Sequence, residues 1–282
     1  MTPGFLGEGD GGPVGVFAAI ILGLVEGLTE FLPVSSTGHL IVADRLLGHD
    51  SATMEIGIQA GAITAILVLY RHKLWNALAT LRQPKSPTGG LNLLIAIGIA
   101  ALPAVVLGKL FHDRLEAALM TPTTVAITTF VGGALLLVLE GWLKGRGARP
   151  VGTEVGLEAL TLRRALTIGL FQTLALIPGT SRSAATIAGG LLQGMSRAAA
   201  AEFSFLVGLP ILYGACALKL WKMRHALHGE LLRDLAIGGA VAFVTAWLVV
   251  GPFVRYLQKH TFVPFAVYRL CAGVAILMIF AL

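Results

Sequence analysis

The 282-residue chain is 56% hydrophobic and only 13% charged, with a mean hydropathy of +0.82. A soluble domain carries about 25% charged residues, so these charges are too few to cover a water-facing surface, and a secreted, cytosolic, disordered or nucleic-acid-binding protein is excluded. The net charge of +6 reads instead as loop charge that orients a membrane protein.

In chain order, residues 1–13 are Gly-rich and carry Glu8 and Asp10 without a Lys or Arg. They lack the basic start of a cleavable signal peptide and are expected as a disordered outward tail. Ten apolar stretches follow, at 14–32, 37–48, 54–70, 91–111, 122–143, 162–177, 183–195, 200–221, 234–254 and 262–282. Six of them, the third to fifth and the eighth to tenth, reach the roughly 17–25 residues that cross a bilayer as a helix. The other four are short or interrupted. The first carries Glu26 and Glu30, the sixth ends at Pro178-Gly179, and the second and seventh are short. Such segments read as re-entrant helix pairs that enter and leave by one face.

The order is therefore a broken pair, three spans, a broken pair and three spans. Residues support the repeat. Gly23-Leu24-Val25-Glu26 lines up with Gly169-Leu170-Phe171-Gln172 at an offset of 146, and Pro33 to Thr37 with Pro178 to Arg182 at 145. Three spans turn the chain over, so the second broken pair is expected to enter from the opposite face and meet the first near the midplane. The predicted fold is an all-α integral membrane protein with an inverted-topology repeat, about six transmembrane helices plus two re-entrant helix pairs. It forms one polytopic domain over 14–282, with repeat one at 14–143, a polar loop at 144–161 and repeat two at 162–282. Twelve Lys and Arg fall on the side opposite the N-terminus and seven on its own side. By the positive-inside rule the termini face outward.

Charge inside membrane segments is costly and marks function. Glu26 and Glu30 are four apart and share a helix face; the alternative is a structural pair with one member protonated. Pro33 stops the first short helix. Ser35, Ser36 and Thr37 follow, with Ser36 or Thr37 expected to cap the next helix and His39 in its first turn, close to the carboxylates. Capping alone is the plain alternative. The second break, Pro178-Gly179-Thr180-Ser181-Arg182-Ser183, repeats a helix stop before hydroxyls and adds a guanidinium. Its fork suits a phosphate or carboxylate, and a resting pairing with Glu26 or Glu30 is compatible with that. Two helix N-termini, which favour anions, complete a site suited to a phosphate group in a bilayer. No Gly-x4-Gly-Lys loop accompanies it, so nucleotide hydrolysis is not expected.

Other residues carry less. Glu55 and Glu202 are expected to open spans, Gln59 and Ser204 to hydrogen-bond between helices, and Arg269 to snorkel or pair with a carboxylate. Gly23-x3-Gly27 and Gly57-x3-Gly61 read as close helix contacts. Cys216 and Cys271 read as small hydrophobes facing other helices.

The stretch Glu26-Gly-Leu-Thr-Glu30-Phe-Leu-Pro-Val-Ser-Ser-Thr-Gly-His39 resembles the first signature of the undecaprenyl-diphosphate phosphatases, the bacitracin-resistance family, and Pro178 to Ser183 its second. Glu202-Phe-Ser-Phe205 with Pro210, and Pro264 to Arg269, are similar to further segments. The resemblance implies removal of the terminal phosphate of a C55 polyprenyl diphosphate, which recycles the carrier lipid for peptidoglycan, in the bacterial inner membrane with the site facing the periplasm. It implies Glu26 and Glu30 as paired carboxylates, Ser36 as nucleophile, His39 as acid/base and Arg182 as phosphate clamp. Ser35, Thr37, Gly179, Thr180, Ser181 and Ser183 would line the pocket. It associates Mg2+ or Ca2+ with Glu26 and Glu30, and no organic cofactor. Expected partners are the lipid substrate, membrane lipids and a second copy of the chain, with no nucleic acid. Because inverted repeats with broken helices are also a transporter architecture, a polyprenyl-phosphate flippase is the alternative.

Overall fold

A computed structural model of the chain describes residues 12–48, 52–80, 90–145, 155–157, 160–225 and 227–281. Most of the expected tail at 1–13 and of the polar loop at 144–161 lies outside them. Eleven α-helices are described: α1 (Val16–Thr29), α2 (Ser36–Leu47), α3 (Ala52–Leu69), α4 (Arg71–Ala79), α5 (Gly90–Leu119), α6 (Pro122–Gly145), α7 (Leu162–Gln172), α8 (Arg182–Leu192), α9 (Arg197–Lys222), α10 (Gly229–Leu257) and α11 (Val263–Ala281). A 3-10 turn, Thr173–Leu176, extends α7.

Five helices (the first part of α5, α6, α9, α10 and α11) are long and apolar enough to cross a membrane, and α3 with α4, bent by 62°, makes a sixth candidate. The chain is an all-α, multi-pass membrane protein. Its outer surface is apolar where a soluble protein would be polar: Leu102 and Leu110 of α5, Leu135 and Val138 of α6, and Leu248 of α10 are all exposed. Lipid gives these side chains no reason to turn inward, so the interior is selected for close packing instead.

Glycines show this directly. A Cβ on Gly23 or Gly27 would fall 2.4 Å and 2.6 Å from the carbonyls of Gly238 and Ala242, and one on Gly61 would fall 1.9 Å from that of Gly239. Helices α1 and α3 therefore both lie backbone-to-backbone along α10, each in the same direction as α10. In the second half α7 lies along α5 in the same sense, with Gly169 against Ala100 and Gly108 facing Leu176. Helices α6 and α11 pair antiparallel, Gly133 against Ala266 and Gly273 against Ala126.

Two polar anchors hold helix ends. Asp234, fully buried at the start of α10, accepts a 2.7 Å hydrogen bond from the Gly15 amide that begins α1. At another junction Glu140 of α6 takes Arg197 of α9 in a two-pronged pair at 2.9 and 2.5 Å and also accepts from the Phe262 amide before α11 at 2.9 Å. Glu140→Gln would remove the carboxylate charge that faces the Arg197 guanidinium. Arg197 is 28% exposed, so the expected cost is the lower end of the roughly 3–5 kcal/mol for breaking a buried pair. A thermal-unfolding midpoint in detergent should fall by several degrees while turnover per folded molecule holds.

Three expectations need correction. Glu202 does not open α9, which begins at Arg197; it lies in the second turn and pairs with Lys73. Cys216 is buried, but Cys271 is exposed, facing outward rather than into a neighbour. Arg269 neither snorkels nor meets a carboxylate; it is fully buried and bonds to backbone carbonyls. The expected interhelical bonds of Gln59, from Cys216 at 3.6 Å, and of Ser204, from Thr186 at 2.6 Å, are present.

Candidate active site

The two helix breaks have the same local construction. Ser35 and Ser181 are the only non-glycine residues with positive φ among those described, at 73° and 72°. Each is the N-cap of the helix that follows, and its side chain accepts from the amide three residues on, Gly38 or Ala184. A non-glycine residue held there stores strain of about 1–3 kcal/mol, and such strain gathers at functional sites. The cap is therefore Ser35, not Ser36 or Thr37 as expected. Capping by Ser35 leaves Ser36 as the first helical residue, with its hydroxyl free for other work. The structural offset between the breaks is 146, one more than the proline alignment implies, so Ser36 corresponds to Arg182 rather than to Ser181.

These two corresponding residues meet on one carboxylate. Ser36 Oγ donates to Glu30 Oε2 at 2.7 Å, and Arg182 NH2 donates to Glu30 Oε1 at 3.3 Å. Arg182 also donates through NH1 to the Ser204 carbonyl at 2.9 Å, while its buried Nε has no partner. Glu30 is buried. One turn earlier on α1, Glu26 is 1% exposed and neither of its carboxylate oxygens has a hydrogen-bond partner. Ser183 ties the breaks together, donating to the Leu32 carbonyl at 2.8 Å and bonding to Ser181 at 3.0 Å. Gly179, at φ +85°, fits where a Cβ would fall 2.2 Å from Thr128 Oγ1. Thr37 and Thr180 are half-buried beside these residues in sequence.

His39 turns away from this cluster. Its Nδ1 lies 2.7 Å from the Ser35 carbonyl, which can only accept, so Nδ1 carries a proton. Its Nε2 lies 2.6 Å from the Tyr268 hydroxyl, and in the neutral ring it accepts from that hydroxyl. The two rings stack with centroids 5.5 Å apart. An apolar groove of about 530 Å³ opens beside them, lined by Phe17, Ile21 and Val25 of α1, Val42 of α2, and Ile276 and Ile279 of α11. Among the described residues no group of three or more His, Cys, Asp or Glu could hold a metal ion.

Sequence reasoning brought forward Glu26, Glu30, Ser36 and Arg182, and the last three share direct contacts. It missed Tyr268 as the partner of His39. It also missed Gly208, whose absent side chain makes room for Arg182: a Cβ there would fall 2.7 Å from Arg182 NH1. Gly208→Ala should displace the guanidinium while keeping its charge. A loss of about tenfold in kcat/KM is expected for a shift below 1 Å, with the unfolding midpoint little changed.

Comparison with known proteins gives a consistent picture. Residues 19–275 match the family described as Bacitracin resistance protein BacA. The chain is 45% identical over 265 residues to the undecaprenyl-diphosphatase of Polaromonas sp., covering 92% of this chain and 93% of that protein. It is 46% identical to the undecaprenyl-diphosphatase of Albidiferax ferrireducens at the same coverage. It is 42% identical to that of Wolinella succinogenes, over 93% of this chain and 97% of the relative.

Proposed function

The chain belongs to the Bacitracin resistance protein BacA family, and from that premise we propose that it hydrolyses undecaprenyl diphosphate at the Glu30–Ser36–Arg182 cluster. It is a phosphoanhydride hydrolase that releases undecaprenyl phosphate and inorganic phosphate. The recycled carrier serves cell-wall synthesis, and its supply underlies bacitracin resistance. The observation that carries the site assignment is the single carboxylate, Glu30, that binds a serine hydroxyl on one oxygen and an arginine on the other.

Chemistry follows from that arrangement. Glu30 Oε2 accepts the Ser36 proton as Oγ attacks the terminal phosphorus, and the bond from that phosphorus to the bridging oxygen breaks. The leaving group is undecaprenyl phosphate. Arg182, with its unpartnered Nε–H and the amides opening α2 and α8, faces the charge that develops on the non-bridging oxygens. Water then attacks the phosphorus of the phosphoserine, the bond from phosphorus to Ser36 Oγ breaks, and Glu30 returns its proton to that oxygen as inorganic phosphate leaves with the protons of the water. His39, held by Ser35 and Tyr268, stands off this path in the resting geometry, so Glu30 is the base the contacts favour. Direct attack by water, with Glu30 as base, is the second route.

Glu26 fits a cation. A buried carboxylate with both oxygens unpaired is costly, and a proton or metal ion relieves it. Magnesium is commonly held by one or two carboxylates plus substrate phosphates, which Glu26 and Glu30 would supply. Such an ion, when bound, neutralises diphosphate charge.

The apolar groove beside His39 would take the isoprenoid segment next to the head group. The corresponding element order of the two halves and the matching Ser35 and Ser181 geometry support an inverted repeat. The excess of Lys and Arg on one side supports an inner-membrane orientation with the site and both termini outward. The test is phosphate release from undecaprenyl diphosphate by the purified protein, with and without chelator. No release under any metal condition would overturn the activity.

A further inference from the structure

Arg269 of α11 is the largest fully buried side chain among the described residues. Its guanidinium spends its donors on backbone carbonyls: Nε on Thr129 at 3.1 Å, NH1 on Pro33 at 3.4 Å, and NH2 on Thr128 at 3.3 Å and Gly179 at 3.1 Å. Thr128 and Thr129 belong to α6. Pro33 and Gly179 belong to the two breaks. They are also corresponding positions, 146 apart, and each precedes by three residues the group that meets Glu30: Pro33 comes before Ser36, and Gly179 before Arg182.

The fold has made space for this one side chain. A Cβ on Gly132 would fall 2.2 Å from Arg269 NH2. The Gly179 carbonyl that accepts from Arg269 is turned by a φ of +85°, a position where no Cβ fits. Thr129 adds a second bond to that carbonyl at 3.3 Å, and Thr128 reaches the Pro178 carbonyl at 2.5 Å. A buried guanidinium is costly unless its donors are satisfied. Four carbonyls spread over three chain segments satisfy this one, and only a planar fork with several fixed donors reaches them together. A lysine at this position has the charge but not the reach.

We propose that Arg269 is a positioning residue that fixes the two breaks against each other and so sets the placement of Ser36 relative to Arg182. The proposal rests on the reading of Glu30, Ser36 and Arg182 as the reacting site. A misplacement of about 1 Å costs on the order of 100-fold in rate. The fork matters more than the charge, so Arg269→Lys should lose nearly as much as Arg269→Gln, and Gly132→Ala, which crowds the fork and leaves the charge, should lose part of it.

The test uses full-length protein in detergent or nanodiscs and three readouts. The first is kcat and KM on undecaprenyl diphosphate for the wild type, Arg269→Lys and Gly132→Ala. The second is the unfolding midpoint. The third is independent of activity: the distance distribution between spin labels at Leu46→Cys on α2 and Leu192→Cys on α8, in a Cys271→Ser background, by pulsed electron paramagnetic resonance. Expected for Arg269→Lys are a kcat down by about 100-fold with KM within about threefold, and a label distribution broader than the wild type. Wild-type kcat in Arg269→Lys overturns the proposal. So does a raised KM at unchanged kcat, which makes Arg269 a binding residue, and so does a lowered kcat with an unchanged distribution, which makes the guanidinium act otherwise than by holding the breaks together. Should the wild type itself release no phosphate, the reading of the site fails, and the label distribution alone decides whether Arg269 holds the breaks together.

Discussion

Arg182→Ala is expected to lower kcat/KM for undecaprenyl diphosphate by roughly 10³-fold or more, the range for removing an arginine that stabilises a transferring phosphoryl group. The resting geometry explains why the loss should fall on the chemistry as well as on binding. Arg182 is held by Glu30 and by the Ser204 carbonyl, so it is placed before substrate arrives and little of its freedom remains to be lost. Its Nε–H is buried and has no partner, which leaves one donor for an incoming oxygen. Arg182→Lys should recover little, because one ammonium cannot reach the Ser204 carbonyl, Glu30 and a phosphate oxygen together. Gly208→Ala is the graded control, since it moves the same guanidinium without removing it. Phosphate release at several substrate concentrations, alongside an unfolding midpoint, separates the effects. An Arg182→Ala protein that folds and turns over within about tenfold of wild type would remove Arg182 from the phosphate site.

Much of the helix pattern was legible in the chain because lipid makes composition report directly on location. The stretches at 122–143 and 262–282 match α6 and α11 within two residues. Where boundaries differ, polar residues are the reason. Helix α5 runs on to Leu119, past Arg114 and Glu116, residues that hydropathy assigns to a loop but that helical backbone accommodates outside the apolar zone. Helix α4 opens on Arg71, His72 and Lys73 and so carried no apolar signal.

Legibility of the site divides along the same line. Glu26, Glu30 and Arg182 stand out because a charge in an apolar segment has no cheap explanation. Ser36 stands out beside them. The partners of Arg269 left no trace, because they are backbone carbonyls and any residue type supplies one. The Glu140–Arg197 pair joins residues 57 apart, a separation no helix periodicity reports. The proline alignment falls one residue short of the offset between the two caps, Ser35 and Ser181, because Pro33 and Pro178 sit at slightly different points of their breaks. The register is set instead by backbone conformation, the positive φ shared by Ser35 and Ser181. That single-residue shift matters: it pairs Ser36 of one break with Arg182 of the other, so two breaks of the same local construction deliver two different groups to one carboxylate.

Ser36→Ala decides between the two chemical routes. If Ser36 Oγ forms the bond to phosphorus, removing it should cost roughly 10⁴-fold or more in kcat, the scale on which deleting a nucleophile leaves only binding and charge stabilisation. If water attacks directly with Glu30 as base, Ser36 contributes one hydrogen bond to that carboxylate. Its loss then costs about 1.5–3 kcal/mol, or about 10- to 150-fold. The covalent route also predicts a phosphoserine. Wild-type protein mixed with substrate labelled in the terminal phosphate and quenched in acid within one turnover should carry label on the peptide containing Ser36, and Ser36→Ala should carry none. Ser36→Cys adds a further discrimination. It keeps a nucleophile at the same place but lengthens the contact to Glu30, so partial turnover with a thiophosphate adduct is expected from the covalent route alone. A residual rate within about 100-fold of wild type in Ser36→Ala, with no label trapped in the wild type, would assign the attack to water and leave Ser36 to orient Glu30.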